Sequence, residues 1–573
     1  MKKLHYYLLV FIALMTFGCE EDKNTEIPEE EELQITSFVF QNLDPVVEGV
    51  IDQENLTIDV KVPRGTDIKA LEPAVTYNQD AELTPAPGYA YDFTNPLSFK
   101  LSKDDREVVY TVSVTFAKSD DNTLKGVSFP ALFRDGTVTD DQIELDVPYG
   151  TDLSEVEVNF NLPAYAEVEP VSGSLINLEN SAEVAVTAEN GDVKTYIITV
   201  NELPQDVGVR AFWIPAPWHS PFLRSYEEIQ KGVDLAVELN FNTLFVGTWA
   251  QTRILYPSQT LADNSSYNTP EDGLFYDYEG GSGDPLADLV EVAHANGLKV
   301  ILWYEHGFMS RTATPPTPDN DKILAVHPDW VGINSYGQPC NYNESDYYYN
   351  AYNPEVQRFM LDMMLEAVNK YDVDGIQGDD RLPAMPRNSG YDAYTVARYK
   401  EEHNGEEPPS NFNNSAWVRW RADILNDFAV QMYEEIKAVD SECIIAFSPN
   451  PYPWAFNNLM QEWPVWLDDG VIEMLSVQCY RSSVTSYEYT IDEVLSYYTT
   501  HGHGNLELLS PGLILYGSSG LSDPEVLAGQ ILANRERGIY GESFFYDVPL
   551  NNEKIQAVIK AFYPAPAKYP ELP

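Results

Sequence analysis

A chain of 573 residues, 44% of them hydrophobic, is long enough for several cored domains and too apolar to be disordered throughout. Its 35 Lys and Arg against 90 Asp and Glu leave a formal charge of −55, which repels nucleic acid and anionic lipid surfaces and excludes polyanion binding as its main task. Such a charge is ordinary for a solvated exported surface and does not by itself indicate a cation site.

Met1-Lys2-Lys3 and the apolar run from Tyr6 to Phe17 read as an export leader, too short for a spanning helix. Gly18-Cys19 resembles a bacterial lipoprotein cleavage site, so residues 1–19 are expected to be a signal peptide and Cys19 the lipidated mature terminus. The acidic stretch 20–32, with Glu20-Glu21-Asp22 and Glu29 to Glu32, resembles the tethers of surface-displayed lipoproteins in Gram-negative glycan foragers. The expected location is therefore the outer membrane, lipid-anchored and facing outward, with ordinary secretion as the alternative. Once Cys19 carries lipid, Cys340, Cys443 and Cys479 are odd in number and imply no disulfide framework. Cys443 and Cys479 read as small core residues.

A repeat follows the tether. Leu56-Thr-Ile-Asp-Val-Lys-Val-Pro63-Arg-Gly65-Thr66-Asp67 recurs as Ile143-Glu-Leu-Asp-Val-Pro148-Tyr-Gly150-Thr151-Asp152, and Tyr110-Thr-Val-Ser-Val recurs as Tyr196-Ile-Ile-Thr-Val. Alternating Val, Thr, Ile and Tyr between Pro-x-Gly-Thr-Asp turns predict two small all-β Ig-like sandwiches, residues 33–118 and 119–203. They resemble the modules of surface lipoproteins and read as spacers, since no aromatic platform for sugar is evident in them, with carbohydrate binding as the alternative.

From residue 204 to 573 the texture changes to apolar strands alternating with helical periods. Strands are predicted over 209–215, 243–248, 298–304, 373–378, 444–448, 473–478, 508–515 and 541–546, which is the count of a (β/α)8 TIM barrel. Asp284-Pro285 to Asn296-Gly297 predicts a helix opened by proline and closed by glycine, and Trp417 to Asp440 another. A doubly wound open sheet is the competing architecture, but no Gly-rich phosphate loop supports nucleotide binding.

Barrel enzymes keep their chemistry at the C-terminal strand ends. There, Asp374-Gly-Ile-Gln-Gly-Asp379-Asp380 empties a buried strand into a paired carboxylate, and one strand earlier Leu298 to Tyr304 runs apolar before presenting Glu305. Strand alternation puts Glu305 on the face of Trp303 and Ile301, and Asp379 on the face of Gln377, while Asp380 points away or joins the loop. Two carboxyl groups are what glycoside hydrolysis usually needs: one protonated to release the leaving oxygen, one ionised to attack or to activate water. Desolvation beside Trp303 and Tyr304 would raise Glu305 toward the acid role. Asp379 and Asp380 capping a helix or pairing with Arg381, and Glu305 pairing with Arg210, is the purely structural alternative. Arg210, Trp213, Trp249, Trp303, Gln377, Asn450, Trp454, Gln478 and Tyr480 supply amide, charged and aromatic groups suited to a sugar, though the same residue types also fill barrel cores.

Glu305, His306, Asp379 and Asp380 could also cluster around a metal, but no His-x-x-x-His pair accompanies them. His501-Gly-His503 reads as a surface loop. Gly517-Ser-Ser-Gly520 has the wrong spacing for an esterase elbow. Neither a metal nor a cofactor is expected.

Several motifs then follow in order: Trp303-Tyr-Glu305-His-Gly307-Phe308-Met309, His327-Pro-Asp-Trp330, Asn353-Pro-Glu-Val-Gln-Arg-Phe359 and Tyr371 through Asp380. After them come Trp417-Val-Arg-Trp-Arg-Ala-Asp423, Ser448-Pro-Asn-Pro451 and Val477-Gln-Cys-Tyr-Arg481. Over residues 207–548 these resemble glycosyl-hydrolase-like family 10, a barrel family that includes bacterial envelope enzymes cleaving peptidoglycan glycan strands stripped of their peptides. The resemblance implies that Glu305 and Asp379 carry the chemistry. A weaker similarity links the segment ending at Asp379 to the fourth strand of α-amylase-like barrels, whose last Asp is the nucleophile. The chain departs from the family pattern at Gly378, where a bulky apolar residue is usual, and at His306, where an aromatic is common. The expectation is a monomeric, lipid-anchored glycosidase acting on denuded peptidoglycan or another complex glycan. The competing class is a glycan-binding lipoprotein without catalysis.

Overall fold

The computed structural model describes residues 32–572 except 503 and 519, so the expected leader, Cys19 and the acidic run through residue 31 lie outside the described residues. The chain divides into two compact units, one holding the first β module and the other holding the second module with the helix-rich region.

The repeat in the sequence is a repeat in topology. In the first module Thr57–Val62 alternates buried Ile58, Val60 and Val62 with exposed Asp59 and Lys61, and pairs in parallel with Arg106–Phe116, Thr57 opposite Thr111. In the second, Gln142–Val147 alternates buried Ile143, Leu145 and Val147 in the same way and pairs in parallel with Val193–Glu202, Gln142 opposite Ile197. The period-two burial is what a strand with one face on a core requires. The recurring tyrosines fall on matching sites: Tyr110 and Tyr196 are both fully buried. Tyr110 donates to Gln53 Oε1 at 2.5 Å, and Tyr196 accepts from the Leu124 N–H at 2.8 Å, so neither buried hydroxyl is left unmet.

Beyond them eight parallel strands form one sheet: β1 (Ala211–Ile214), β2 (Thr243–Gly247), β3 (Lys299–Tyr304), β4 (Gly375–Asp379), β5 (Ile444–Ser448), β6 (Met474–Leu475), β7 (Gly512–Ile514) and β8 (Ser543–Phe545). Neighbours run β6-β5-β4-β3-β2-β1-β8-β7. The two edges meet, because Ser510 N–H donates to Leu475 O at 2.9 Å and Gly512 N–H to Val477 O at 2.8 Å, so the sheet curls round on itself. β6 is shorter than its apolar run, since past Leu475 the chain bonds to the loop after β5, Gln478 N–H donating to Pro449 O at 2.9 Å.

Inside the curl, Val209, Ala211, Trp213, Phe245, Ile301, Trp303, Ile444, Ala446 and Met474 make a separate inner core. The outer core lies between strands and helices. Its helix Pro285–Ala295 begins with Asp284 accepting from the Leu286 and Ala287 N–H groups and has Gly297 (φ +75) just past its end, as the proline and glycine predict. Ser415–Val439 starts earlier than Trp417 because Asn414 caps it. Cys340, Cys443 and Cys479 are free and buried. His501 ends the helix Val484–His501 and pairs with Asp468 at 2.9 Å rather than lying in a loop.

The N-terminal strand ends hold an ionic cluster. Glu542, fully buried, accepts from Arg535 Nη1 at 2.6 Å, from Asn534 Nδ2 at 3.0 Å and from the Tyr563 hydroxyl. Removing one partner of a buried pair strands the other charge. Arg535→Met is therefore expected to lower unfolding free energy by about 3–5 kcal/mol, read as a shifted urea midpoint at neutral pH. An unchanged midpoint would show that the cluster contributes nothing to folding.

Candidate active site

The register of adjacent strands sets the two acids level. Along β3 and β4, Trp303 pairs with Gln377 and Tyr304 with Gly378, so the next step places Glu305 beside Asp379 at the C-terminal ends. Trp303 and Gln377 occupy the layer below, where the Trp213 Nε1–H donates to Gln377 Oε1 at 2.8 Å and the Trp213 and Trp303 rings lie 6.3 Å apart. All three side chains are buried. They form the floor under the acids, where Trp303 Nε1 and Gln377 Nε2 are buried without a hydrogen-bond partner.

Asp379 is held from several sides. Its Oδ2 pairs with Arg381 Nη1 at 2.8 Å, and its Oδ1 accepts from Gln478 Nε2 at 2.9 Å and from the Ser448 hydroxyl at 3.3 Å. Gln461 Nε2 donates to its backbone oxygen at 2.9 Å. Burial pushes the Asp379 carboxyl well above the ordinary range and the Asp380 charge adds to this, while Arg381 opposes both. Asp380 follows the strand in the loop but stays in the charge cluster, 2.9 Å from Arg381 Nη1 and accepting from Asn450 Nδ2 at 2.9 Å. Arg381 also donates from Nη1 to the Glu305 backbone oxygen at 3.2 Å, so one guanidinium ties the ends of β3 and β4 together.

Glu305 has a different environment. Its Oε2 is buried without a hydrogen-bond partner, and desolvation pushes its pKa up to about 7 against the opposing Arg381 charge and the Ala216 N–H. Among the described residues its carboxylate pairs with neither Arg210 nor another cation, so the structural alternative fails for this residue. Beside it His306 is buried and accepts from the Gln251 N–H at 3.2 Å. Desolvation and the Arg381 charge hold it well below its usual pKa, so it is neutral.

Two glycines allow this arrangement. Gly307 sits at φ +47, and a Cβ there would lie 2.3 Å from the Arg381 carbonyl, which instead accepts from the Phe308 N–H at 3.1 Å. At Gly378 a Cβ would lie 2.6 Å from the Leu382 oxygen and 2.8 Å from the Phe447 ring. The bulky residue usual at that position in the resembled family could not fit here without moving the Asp379–Leu382 turn.

Of the remaining expected contacts, Gln478, Asn450 and Tyr480 gather at the acids. Tyr480 packs on Phe545 with centroids 5.4 Å apart, and burial, with Asp379 and Asp380 nearby, raises its phenol. Trp454 is exposed at the start of the short helix Trp454–Leu459 that follows β5, edge-on to Tyr342 at 5.7 Å, and forms part of the rim. Two residues lie elsewhere. Arg210 precedes β1 at the opposite end, donating to Asp206 at 2.7 Å and Ala565 O at 2.7 Å and lying over the Tyr563 ring at 4.0 Å. Trp249 is fully buried outside the eight-stranded sheet, in the two-residue strand Trp249–Ala250, packed on Phe359 at 6.0 Å with its Nε1–H on Gly307 O at 3.0 Å. Ser448 and Gln461 were missed. Ser448 is the last residue of β5 and could have been found by the rule that selected the acids.

Among the described residues no three His, Cys, Asp or Glu side chains converge as metal ligands. Arg381 is the cation between Asp379 and Asp380.

Comparison with known proteins follows the same boundary. The family model described as glycosyl hydrolase-like 10 matches residues 208–503. The model described as SGBP, N-terminal, matches twice, over residues 35–114 and 134–200. Glycosyl hydrolase YngK of Bacillus subtilis is 24% identical over 421 residues, 66% of this chain and 77% of that protein. Glycosyl hydrolase DigH of Escherichia coli O6:H1 is 22% identical over 284 residues, 43% of this chain and 56% of that protein. Among solved structures, the PgaB (BpsB) glycoside hydrolase domain of Bordetella bronchiseptica covers 63% of this chain and 99% of its own, at 12% identity and a TM-score of 0.45.

Proposed function

We propose that this chain, which belongs to the glycosyl hydrolase-like 10 family, hydrolyses a glycosidic bond in a denuded peptidoglycan-like or other complex glycan. The observation that supports this best is the pairing of unlike carboxyl groups on adjacent strand ends. Glu305, desolvated and pushed up to about 7, is poised to be protonated, while Asp379 is aimed by Arg381, Gln478 and Ser448.

In this reading Glu305 gives its proton to the leaving oxygen as the bond to the anomeric carbon breaks. Asp379 attacks that carbon, and Arg381 balances its charge in the free enzyme. Neighbouring parallel strands lie about 4.8 Å apart, and residues level on them suit the roughly 5–5.5 Å carboxyl gap of retaining enzymes. Asp379 is therefore assigned as nucleophile, and Glu305 returns as base to activate the water that releases the second product. Tyr480, Gln478, Asn450 and Trp454 offer ring faces and amides to the sugar. The chain acts, in this proposal, as an outward-facing lipoprotein anchored through Cys19.

Incubating the purified protein with denuded peptidoglycan and a panel of polysaccharides should release reducing ends from at least one of them. Binding to a glycan with no release from any would instead establish a sugar-binding protein on the same scaffold.

A further inference from the structure

A cavity of 490 Å³ lies on the rim between the loops that follow β1 and β2. Its main wall is Trp218, 39% exposed although it is a large aromatic, with its ring held edge-on to Phe275 at 5.3 Å and 87°. The bend that carries Trp218 is fixed: Arg224 donates to the Pro217 carbonyl from Nε at 2.9 Å and from Nη2 at 2.6 Å. The opposite wall is also pinned, since Phe275 N–H donates to Ile254 O at 3.1 Å, Tyr226 N–H to Glu279 O at 3.1 Å and the Tyr278 hydroxyl to Asp288 at 2.8 Å. Into this frame the structure places the Tyr276 hydroxyl, buried without a hydrogen-bond partner, and the exposed carboxylates of Asp277 and Glu279.

A preformed concave site with one aromatic face and a few convergent polar groups is the general form of a small-ligand site. A pyranose ring offers an apolar CH face to Trp218 and hydroxyls to carboxylates and a phenol. Arg224 directs two donors at Pro217, and against its single positive charge the carboxylates of Asp277 and Glu279 leave the cavity net negative, which disfavours an anionic sugar. The cavity also lies close to the chemistry. Ala216, whose N–H faces the Glu305 carboxylate, is two residues before Trp218, at most about 7 Å of chain.

We propose that this cavity is a sugar subsite that holds an uncharged pyranose unit of the glycan, set back from the bond being cleaved. The subsite rests on the glycan-hydrolysis reading above for the identity of its ligand. Its consequence is length dependence: an oligosaccharide long enough to reach from the acids to Trp218 binds more tightly than one that is not.

The test uses the full chain carrying Glu305→Gln, so that ligands survive, and calorimetric titration with uncharged oligosaccharides of differing linkage, each as disaccharide and hexasaccharide. At least one hexasaccharide is expected to bind more tightly than its disaccharide, and Trp218→Ala to remove about ten-fold of affinity for the longer ligand only. Tyr276→Phe keeps the ring and its packing, so its expected several-fold loss on the hexasaccharide does not depend on refolding. No advantage for any hexasaccharide, or an advantage untouched by both substitutions, overturns the subsite. The hydrolysis reading fails separately, when the unsubstituted chain releases no reducing ends. Length-dependent binding through Trp218 in a chain that cleaves nothing leaves the subsite standing, whereas cleavage with no role for Trp218 or Tyr276 sinks the subsite alone.

Discussion

Asp379→Asn is expected to lower kcat by at least about 10⁴-fold while leaving the protein folded. The substitution is nearly isosteric, and the asparagine oxygen can still accept from Arg381, whose charge remains balanced by Asp380 at 2.9 Å. What is lost is the ability to form a covalent bond to the anomeric carbon, an interaction made in the transition state and not in the ground state. kcat and kcat/KM should therefore fall together, with ligand affinity nearly unchanged. Early-time NMR of the unsubstituted chain's product should show retention of the anomeric configuration. Inverted product would place a water between the acids and make Asp379 a base, and a variant within about ten-fold of the parent would place the chemistry on other residues.

The second large effect is on pH dependence. Glu305 must be protonated to act as the acid, and its pKa of about 7 means that activity should fall as pH rises through that value. Asp379 must be ionised, and its carboxyl is raised by burial and by Asp380, so activity should also fall as pH drops through a value above the ordinary carboxylate range. The profile of kcat/KM is thus expected to be a bell whose limbs belong to the coupled set of acids. Glu305→Gln should lower kcat about 10²–10⁴-fold and erase the alkaline limb while keeping the acidic one. Persistence of that limb would assign it to another group. Stability should move in the opposite direction. A carboxyl raised on folding is unfavourable to the folded state once pH exceeds its unfolded value, and the full loss is present above about 7. Glu305→Gln should accordingly stabilise the protein at mildly alkaline pH, by on the order of 3 kcal/mol at most, and change little at acidic pH. A destabilised variant at alkaline pH would mean that the ionised carboxylate is compensated in the fold.

The acids were legible because their anomaly is one-dimensional. Charge at the end of an apolar run, on neighbouring strands, needs only the strand period and the direction of the chain to be placed. The repeat of the two β modules was legible for a similar reason, since the motif around Gly65 and Gly150 marks the same parallel pairing twice. The family assignment rested on ordered motifs and extends over half of the chain. The errors share a cause. Arg210 stands at the start of β1 rather than its end, and a residue a few positions upstream in a parallel sheet is at the opposite pole of the molecule. Trp249 follows β2, but the chain turns there into a short hairpin with Arg253–Ile254, so strand alternation no longer determines its direction. Trp213 and Trp303 share the face of the acids but lie one layer below them, a height that strand alternation does not give. Arg381 was visible as a partner for the acids, yet its bond to the Glu305 backbone depends on a turn folding back across two strands, which no spacing rule encodes.

Gly307 and Gly378 carry a further consequence. Each lends the place of its own side chain to the backbone of the loop after β4, so the segments around Glu305 and Asp379 share one surface and cannot be varied separately. For anyone redesigning this chain, these two loops form a single transplantable cassette. Grafting one without the other would install a side chain where its partner's carbonyl must sit. The rim bearing Trp454 belongs with that cassette, since Met385 N–H donates to Leu459 O at 2.9 Å and Arg387 N–H to Asn458 O at 2.8 Å, tying the helix Trp454–Leu459 to the loop after β4.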